Sequence, residues 1–226
     1  MIGKTKNNKK DFRVVFTYLI LFFFIWSIYE VGLAPYLTER LSENIFGLTN
    51  FFIKFMVWII PVIMYLTFVE QVNIFSYLKL NENIKKGIIG ALIVSFIFLV
   101  YNFLEVKLMG NLQIDLSLSL SSWLNMVIMA GLAEEIVFRG FLFRKFGDKI
   151  GIRTAMIISS LLFLFIHYPI WYVRGILNFP GLFFSSLYVF IIGMIMAYLY
   201  KKTDSLWSCI ISHSLHNLIV TILVLV

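Results

Sequence analysis

The 226-residue sequence has one cysteine, four prolines and only 14% charged residues. A single cysteine excludes an intramolecular disulfide, and the place of Cys209 near the start of an apolar segment reads as a small buried hydrophobe. Long polar stretches are missing as well: no soluble domain, extended linker, low-complexity segment or internal repeat interrupts the chain. The lack of a nucleotide-binding domain argues against an ATP-driven pump. The lack of repeated halves or paired broken helices gives no support to a secondary transporter.

Apolar surface is what the chain has in abundance. Hydrophobic residues make up 61% and aromatics 18%, with a mean hydropathy of +0.92, against about 45–50% apolar residues in an average soluble domain. The chain reads as an all-α, multi-pass integral membrane protein. Roughly 20 helical residues cross a hydrocarbon core of about 30 Å. On that basis seven spans are expected, at residues 14–34, 51–70, 87–104, 120–144, 152–169, 181–200 and 206–226. An N-terminal region, 1–119, would hold the first three and a four-helix core, 120–226, the rest. Pro61 is expected to kink the second span and Pro169 to end the fifth.

The formal charge of +7 does not point to nucleic acid, because the basic residues lie in short clusters between apolar segments. Five at the N-terminus (Lys4, Lys6, Lys9, Lys10, Arg13), then Lys79, Lys85 and Lys86, then Arg144, Lys145, Lys149 and Arg153, then Lys201 and Lys202 fall on one side. The other side has Arg40, Lys107 and Arg174, with Lys54 near the start of the second expected span. Lys and Arg collect on the cytoplasmic side, so the N-terminus is expected in the cytoplasm and the C-terminus outside. The apolar run from Val14 to about Leu33 is longer than a signal-peptide core and reads as an uncleaved first helix.

Against this background Glu134, Glu135 and Arg139 stand inside an expected span. Ionisable groups in hydrocarbon are costly unless they are paired or face water, and so mark a candidate site. Glu135 and Arg139 are four apart, acid before base, the favourable order for a helical ion pair. Glu134 is turned by about 100° from Glu135, which leaves it as the acid without a local partner. All three histidines also fall within spans: His167 on the fifth, His213 and His216 on the seventh. His213 and Asn217 share a helical face, and a polar amide in lipid needs a partner.

Depth offers a test of whether these residues can meet. At about 1.5 Å per residue, Glu134 lies roughly 15 Å from Arg144, and His167 about 22 Å from Ile152. On the same rise His213 and Asn217 lie about 10 and 16 Å from Leu206. All are measured from the basic side, so one common level inside a bundle is open to them. A carboxylate and a histidine holding one water could deprotonate it, and a second histidine with an amide could donate to the oxyanion of a tetrahedral intermediate. Metal is the competing use, with Glu134, His167 and His213 as ligands and water as the fourth. Against metal, there is no His-Glu-x-x-His string. Ser212 and Ser214 flank His213 but point elsewhere on the helix, and Gly-x-Ser-x-Gly and Gly-x-Gly-Asp strings are absent.

Three strings resemble the motifs of the CPBP family of CAAX proteases and bacteriocin-processing enzymes, also called Abi. Glu134-Glu135-Ile136-Val137-Phe138-Arg139 is similar to its Glu-Glu-x-x-x-Arg, followed by Gly140. Phe163 to His167 is similar to Phe-x-x-x-His, and His213 to Asn217 to His-x-x-x-Asn. The resemblance covers roughly residues 120–220. It implies an all-helical glutamic intramembrane protease in which Glu134 and His167 activate water, His213 and Asn217 form the oxyanion site, and Glu135 and Arg139 support them. His216 has no place in the motifs and reads as structural. Leu164 departs from the small residue often found after the motif phenylalanine. Expected partners are the bilayer and a lipidated or membrane-associated peptide substrate, without nucleic acid, and no cofactor is expected. The Asn-, Lys- and Ile-rich composition fits a bacterial cell membrane and peptide maturation. Two alternatives stand beside the protease: a non-catalytic immunity or scaffold protein of the same family, and a zinc-dependent membrane protease.

Overall fold

The computed structural model describes residues 8–110 and 112–225. Lys4 and Lys6 of the basic N-terminal cluster, and Val226 at the end of the seventh expected span, lie outside the described residues. Helix α1 runs over residues 8–40 as Asn8–Ile28, a π-helical turn Tyr29–Leu33 and Ala34–Arg40. Helix α2 is Glu43–Glu70, α3 the short Ile74–Tyr77, α4 Ile84–Met109, and α5 spans residues 120–150. Then follow α6, Ile152–Phe165, α7, Tyr168–Val173, α8, Gly181–Thr203, and α9, Leu206–Ile222. Two three-residue strands, β1 Leu112–Ile114 and β2 Leu223–Leu225, pair antiparallel and tie the end of α4 to the end of α9. The protein is an all-α, polytopic integral membrane protein.

Among the described residues, five helical stretches are long and apolar enough to cross a membrane: Arg13–Arg40, Glu43–Glu70, Ile84–Met109, Ile152–Val173 and Gly181–Thr203. The shorter α9 is apolar too. Side chains such as Phe96 and Phe24 are more than 60% exposed, as expected where lipid replaces water as the solvent.

Several boundaries differ from those read in the sequence, each for a local reason. The second span starts at Glu43 rather than 51, and the third extends to Met109. The seventh ends at Ile222, where the chain becomes β2. Pro169 does not end the fifth helix. That helix stops at Phe165, Ile166 and His167 form a turn, and Pro169 lies in the first turn of α7, where a missing N–H leaves no helical bond unmade. Before Pro61 the α2 backbone widens into a π-helical turn over Phe55–Ile59.

Helix α5 is the least regular. Its α-helical turn Ala130–Glu135 is flanked by π-helical stretches Trp123–Met129 and Ile136–Phe143. Such wide turns recur at functional sites because they re-aim side chains. Its packing depends on Gly131: a Cβ there would sit 2.2 Å from Ser214 Oγ and 3.0 Å from Ser214 N on α9. Gly131→Ala is therefore expected to push α9 away one turn from Glu134. A purified variant should be less stable than wild type by about 1–3 kcal/mol through overpacking, read as a lower melting temperature in detergent.

The core below this turn is aromatic. Trp58 meets Phe22 at 4.9 Å and Trp26 at 5.0 Å between ring centroids, and continues through Phe138 (6.0 Å) to Phe163 (5.4 Å from Phe138). Each contact is edge-to-face, a favoured geometry for ring quadrupoles. Trp58, Phe138 and Phe163 are all at most 2% exposed.

Candidate active site

The two adjacent glutamates face different surroundings, as their helical offset requires. Glu135 is fully buried and accepts from Arg139 Nη1 at 3.0 Å. Arg139, also fully buried, donates through Nη2 to the Gly193 carbonyl at 3.1 Å and lies over the Phe163 ring at 4.3 Å. The same Glu135 Oε1 takes the His213 Nδ1–H at 2.7 Å. One carboxylate oxygen thus joins the arginine of its own helix to the histidine of α9.

Glu134 is not the unpartnered acid that its sequence position suggested. Lys54 Nζ on α2 donates to its Oε1 at 3.0 Å, with both side chains about nine-tenths buried. Lys54 also sits 5.0 and 5.6 Å from the ring centroids of Trp58 and Trp26, so its cation has aromatic faces as well as a carboxylate for neighbours. The sequence reading missed Lys54 as a site residue because it drew the span from residue 51. With α2 beginning at Glu43, Lys54 is its twelfth residue, about 16 Å in. The rule that singled out the glutamates would have singled out this lysine.

The second oxygen of Glu134, Oε2, is 3.8 Å from His213 Nε2. That is beyond a direct hydrogen bond, and short enough for one water to bond both. His167, at the turn between α6 and α7, gives its Nδ1–H to the Phe163 carbonyl at 2.7 Å. A carbonyl only accepts, so in the neutral ring Nε2 carries the lone pair. Asn217 Nδ2 donates to the Met126 carbonyl at 2.8 Å, which leaves its amide one further N–H. His216 stands apart: it is buried against Phe98 (centroids 4.8 Å) and meets the Tyr188 hydroxyl at 3.2 Å, the position of a packing residue.

Glu134, His167, His213 and Asn217 all line one cavity of about 720 Å³, together with Lys54 and Trp58 from α2. Glu135 and Arg139 lie behind its wall. Among the described residues, no group of three or more His, Cys, Asp or Glu is placed so that it could hold a metal ion.

In this polytopic helical protein one carboxylate, two histidines and an amide thus line a single cavity, with a second carboxylate behind its wall. Residues 115–219 match the family model described as Rce1-like, type II CAAX prenyl endopeptidase. That match is to the CAAX protease (CPBP) family, a family of proteases, and all three motifs described above fall within the matched stretch. No curated protein and no solved structure matched the chain.

Proposed function

We propose that this protein is an intramembrane endopeptidase that hydrolyses a peptide bond of a lipidated or membrane-associated peptide with a water activated by Glu134 and His167. The observation that carries the reading is the convergence of Glu134, His167, His213 and Asn217, from α5, the α6–α7 turn and α9, on one cavity. A water there loses a proton to the carboxylate or to His167 Nε2 while its oxygen bonds to the carbonyl carbon. The carbonyl oxygen becomes an oxyanion facing the free Asn217 N–H and His213. Because His213 Nδ1–H is given to Glu135, this ring donates from Nε2 only as an imidazolium. When the C–N bond breaks, the leaving nitrogen takes the proton that the base had removed.

The Glu135–His213 contact favours a second reading in detail. A carboxylate orienting an imidazole whose other nitrogen faces the reacting centre is the arrangement of a general base. In that case His213 takes the proton and His167 positions the water. Separate asparagine substitutions at His167 and His213, followed through the pH profile of turnover, tell the two apart: the true base is the one whose loss removes the corresponding limb.

The test of the function is direct. Purified protein is incubated with lipidated and precursor peptides, with and without a chelator, and products are read by mass spectrometry. Cleavage that ignores the chelator supports the glutamate-activated water. Loss on chelation with recovery on zinc would establish the metalloprotease instead, and tight peptide binding without any product the scaffold.

Lys54 is expected to act through Glu134 as a positioning residue. Lys54→Met should lower kcat by about 100-fold, the effect of letting a reacting group drift by about 1 Å, with KM little changed. Lys54→Arg should restore part of the rate, because it keeps a cation within reach of the carboxylate. A purely structural role would show instead as lost folding in both variants.

A further inference from the structure

We infer that the cavity opens away from the basic loops, so that it takes its peptide from the extracytoplasmic side of the membrane. This deepens the proposed endopeptidase reading, and names the substrate class as exported or surface-displayed peptides held at the outer leaflet by a lipid or an apolar segment.

The argument starts from where the lining residues fall on each helix. On α1 they lie from Trp26 to Glu39, in the half that ends at Arg40, and on α2 from Phe46 to Trp58, in the half that begins at Glu43. On α5 they stop at Glu134, although the helix continues to residue 150. On α6 and α7 they begin only at Ile166, and on α9 only at His213. In each helix that lines it, the cavity lies toward the end remote from the basic residues Lys79, Lys85 and Lys86, Arg144 to Arg153, and Lys201 and Lys202.

Exposure gives the direction of opening. Thr38, Glu39 and Arg174 at one end are exposed, whereas Glu134 and His213 at the other are 7% and 5% exposed. Beyond Glu134 toward the basic side come Phe138, Phe141 and Leu142, each 0% exposed, and no residue of α5 past Glu134 lines the cavity.

The two faces of the molecule are also held together independently. On the basic face Lys79 pairs with Asp204 at 3.3 Å, its carbonyl accepts the Leu206 N–H at 3.1 Å, and Lys145 pairs with Glu70. On the opposite face lie the β1–β2 ribbon and the Asn125 bond to the Gly47 carbonyl at 2.9 Å. The loops carrying the charge asymmetry therefore share one surface, and positive loops stay in the cytoplasm. A CAAX terminus anchored in the cytoplasmic leaflet would meet the closed face.

Cysteine labelling of the full chain in intact cells tests this without relying on catalysis. The native Cys209 is buried, so wild type serves as the unlabelled control. Thr38→Cys reports the cavity mouth, with Glu39→Cys as a second reporter, and Lys86→Cys reports the basic face. A membrane-impermeant maleimide is expected to label the mouth cysteines in intact cells, and Lys86→Cys only after the membrane is opened. Labelling of the mouth only after permeabilisation, or equal labelling of both faces before it, overturns the inference. If the labelling is as expected but no peptide is cleaved, the protease reading fails and the sidedness stands. If peptides are cleaved but the labelling is reversed, the sidedness alone fails.

Discussion

Glu134→Gln is expected to lower peptide hydrolysis by about 10³-fold, within the range that a positioned acid–base group contributes, while the protein still folds. The amide keeps the shape of the side chain and cannot take a proton from water. The substitution does leave Lys54 without its carboxylate, and a buried charge that loses its partner is destabilising. Here the Trp58 and Trp26 rings, 5.0 and 5.6 Å away, continue to offer the cation a favourable surface. Pairing Glu134→Gln with Lys54→Met removes that ambiguity, since neither charge then remains. Turnover should stay as low as in the single variant while thermal stability recovers. Cleavage within about tenfold of wild type in Glu134→Gln would take the base assignment away from this residue, because a loss that small lies below the acid–base range.

Arg139→Met is expected to have the largest effect on folding. Glu135 and Arg139 are both fully buried, and removing one member of such a pair costs about 3–5 kcal/mol because the other charge is left without compensation. That is a large part of the about 5–15 kcal/mol that holds a typical domain together. The yield of folded protein in detergent and its melting temperature should both fall sharply. The double variant Glu135→Leu with Arg139→Met separates stability from activity. Replacing a whole buried pair with apolar groups is often neutral for folding, so most of the stability should return. His213 then lacks the acceptor that fixes its ring, and hydrolysis is expected to stay low. A double variant as unstable as the single one would mean that the arginine matters through the Gly193 carbonyl and the Phe163 ring rather than through Glu135.

What could be read in the sequence was whatever depends on spacing along one helix. The four-residue interval from Glu135 to Arg139 and the shared face of His213 and Asn217 follow from helical geometry. The common level of the site residues follows from counting along the spans. What could not be read depends on hydrogen-bond register and on contacts between distant segments. The π-helical stretch after Glu135 leaves no mark on apolar periodicity, since every residue from Ile136 to Phe143 is buried whichever way it faces. Lys54 reaches Glu134 across eighty residues, and it looked like an end-of-span lysine until α2 was seen to begin at Glu43. The β1–β2 ribbon is two apolar triplets, indistinguishable in sequence from the helix ends they follow. The change at Pro169 was half legible: proline signalled a break, but the break falls before it and places His167 at the turn.

The charge pairing in the bundle has an electrical consequence. Moving one net elementary charge across a transmembrane potential involves about 2.3 kcal/mol for each 100 mV. Glu134 has Lys54 at 3.0 Å, and Glu135 has Arg139 at the same distance, so with neutral histidines the cluster carries no net charge. A cluster paired in this way gives the membrane potential no net charge to drive across the bilayer.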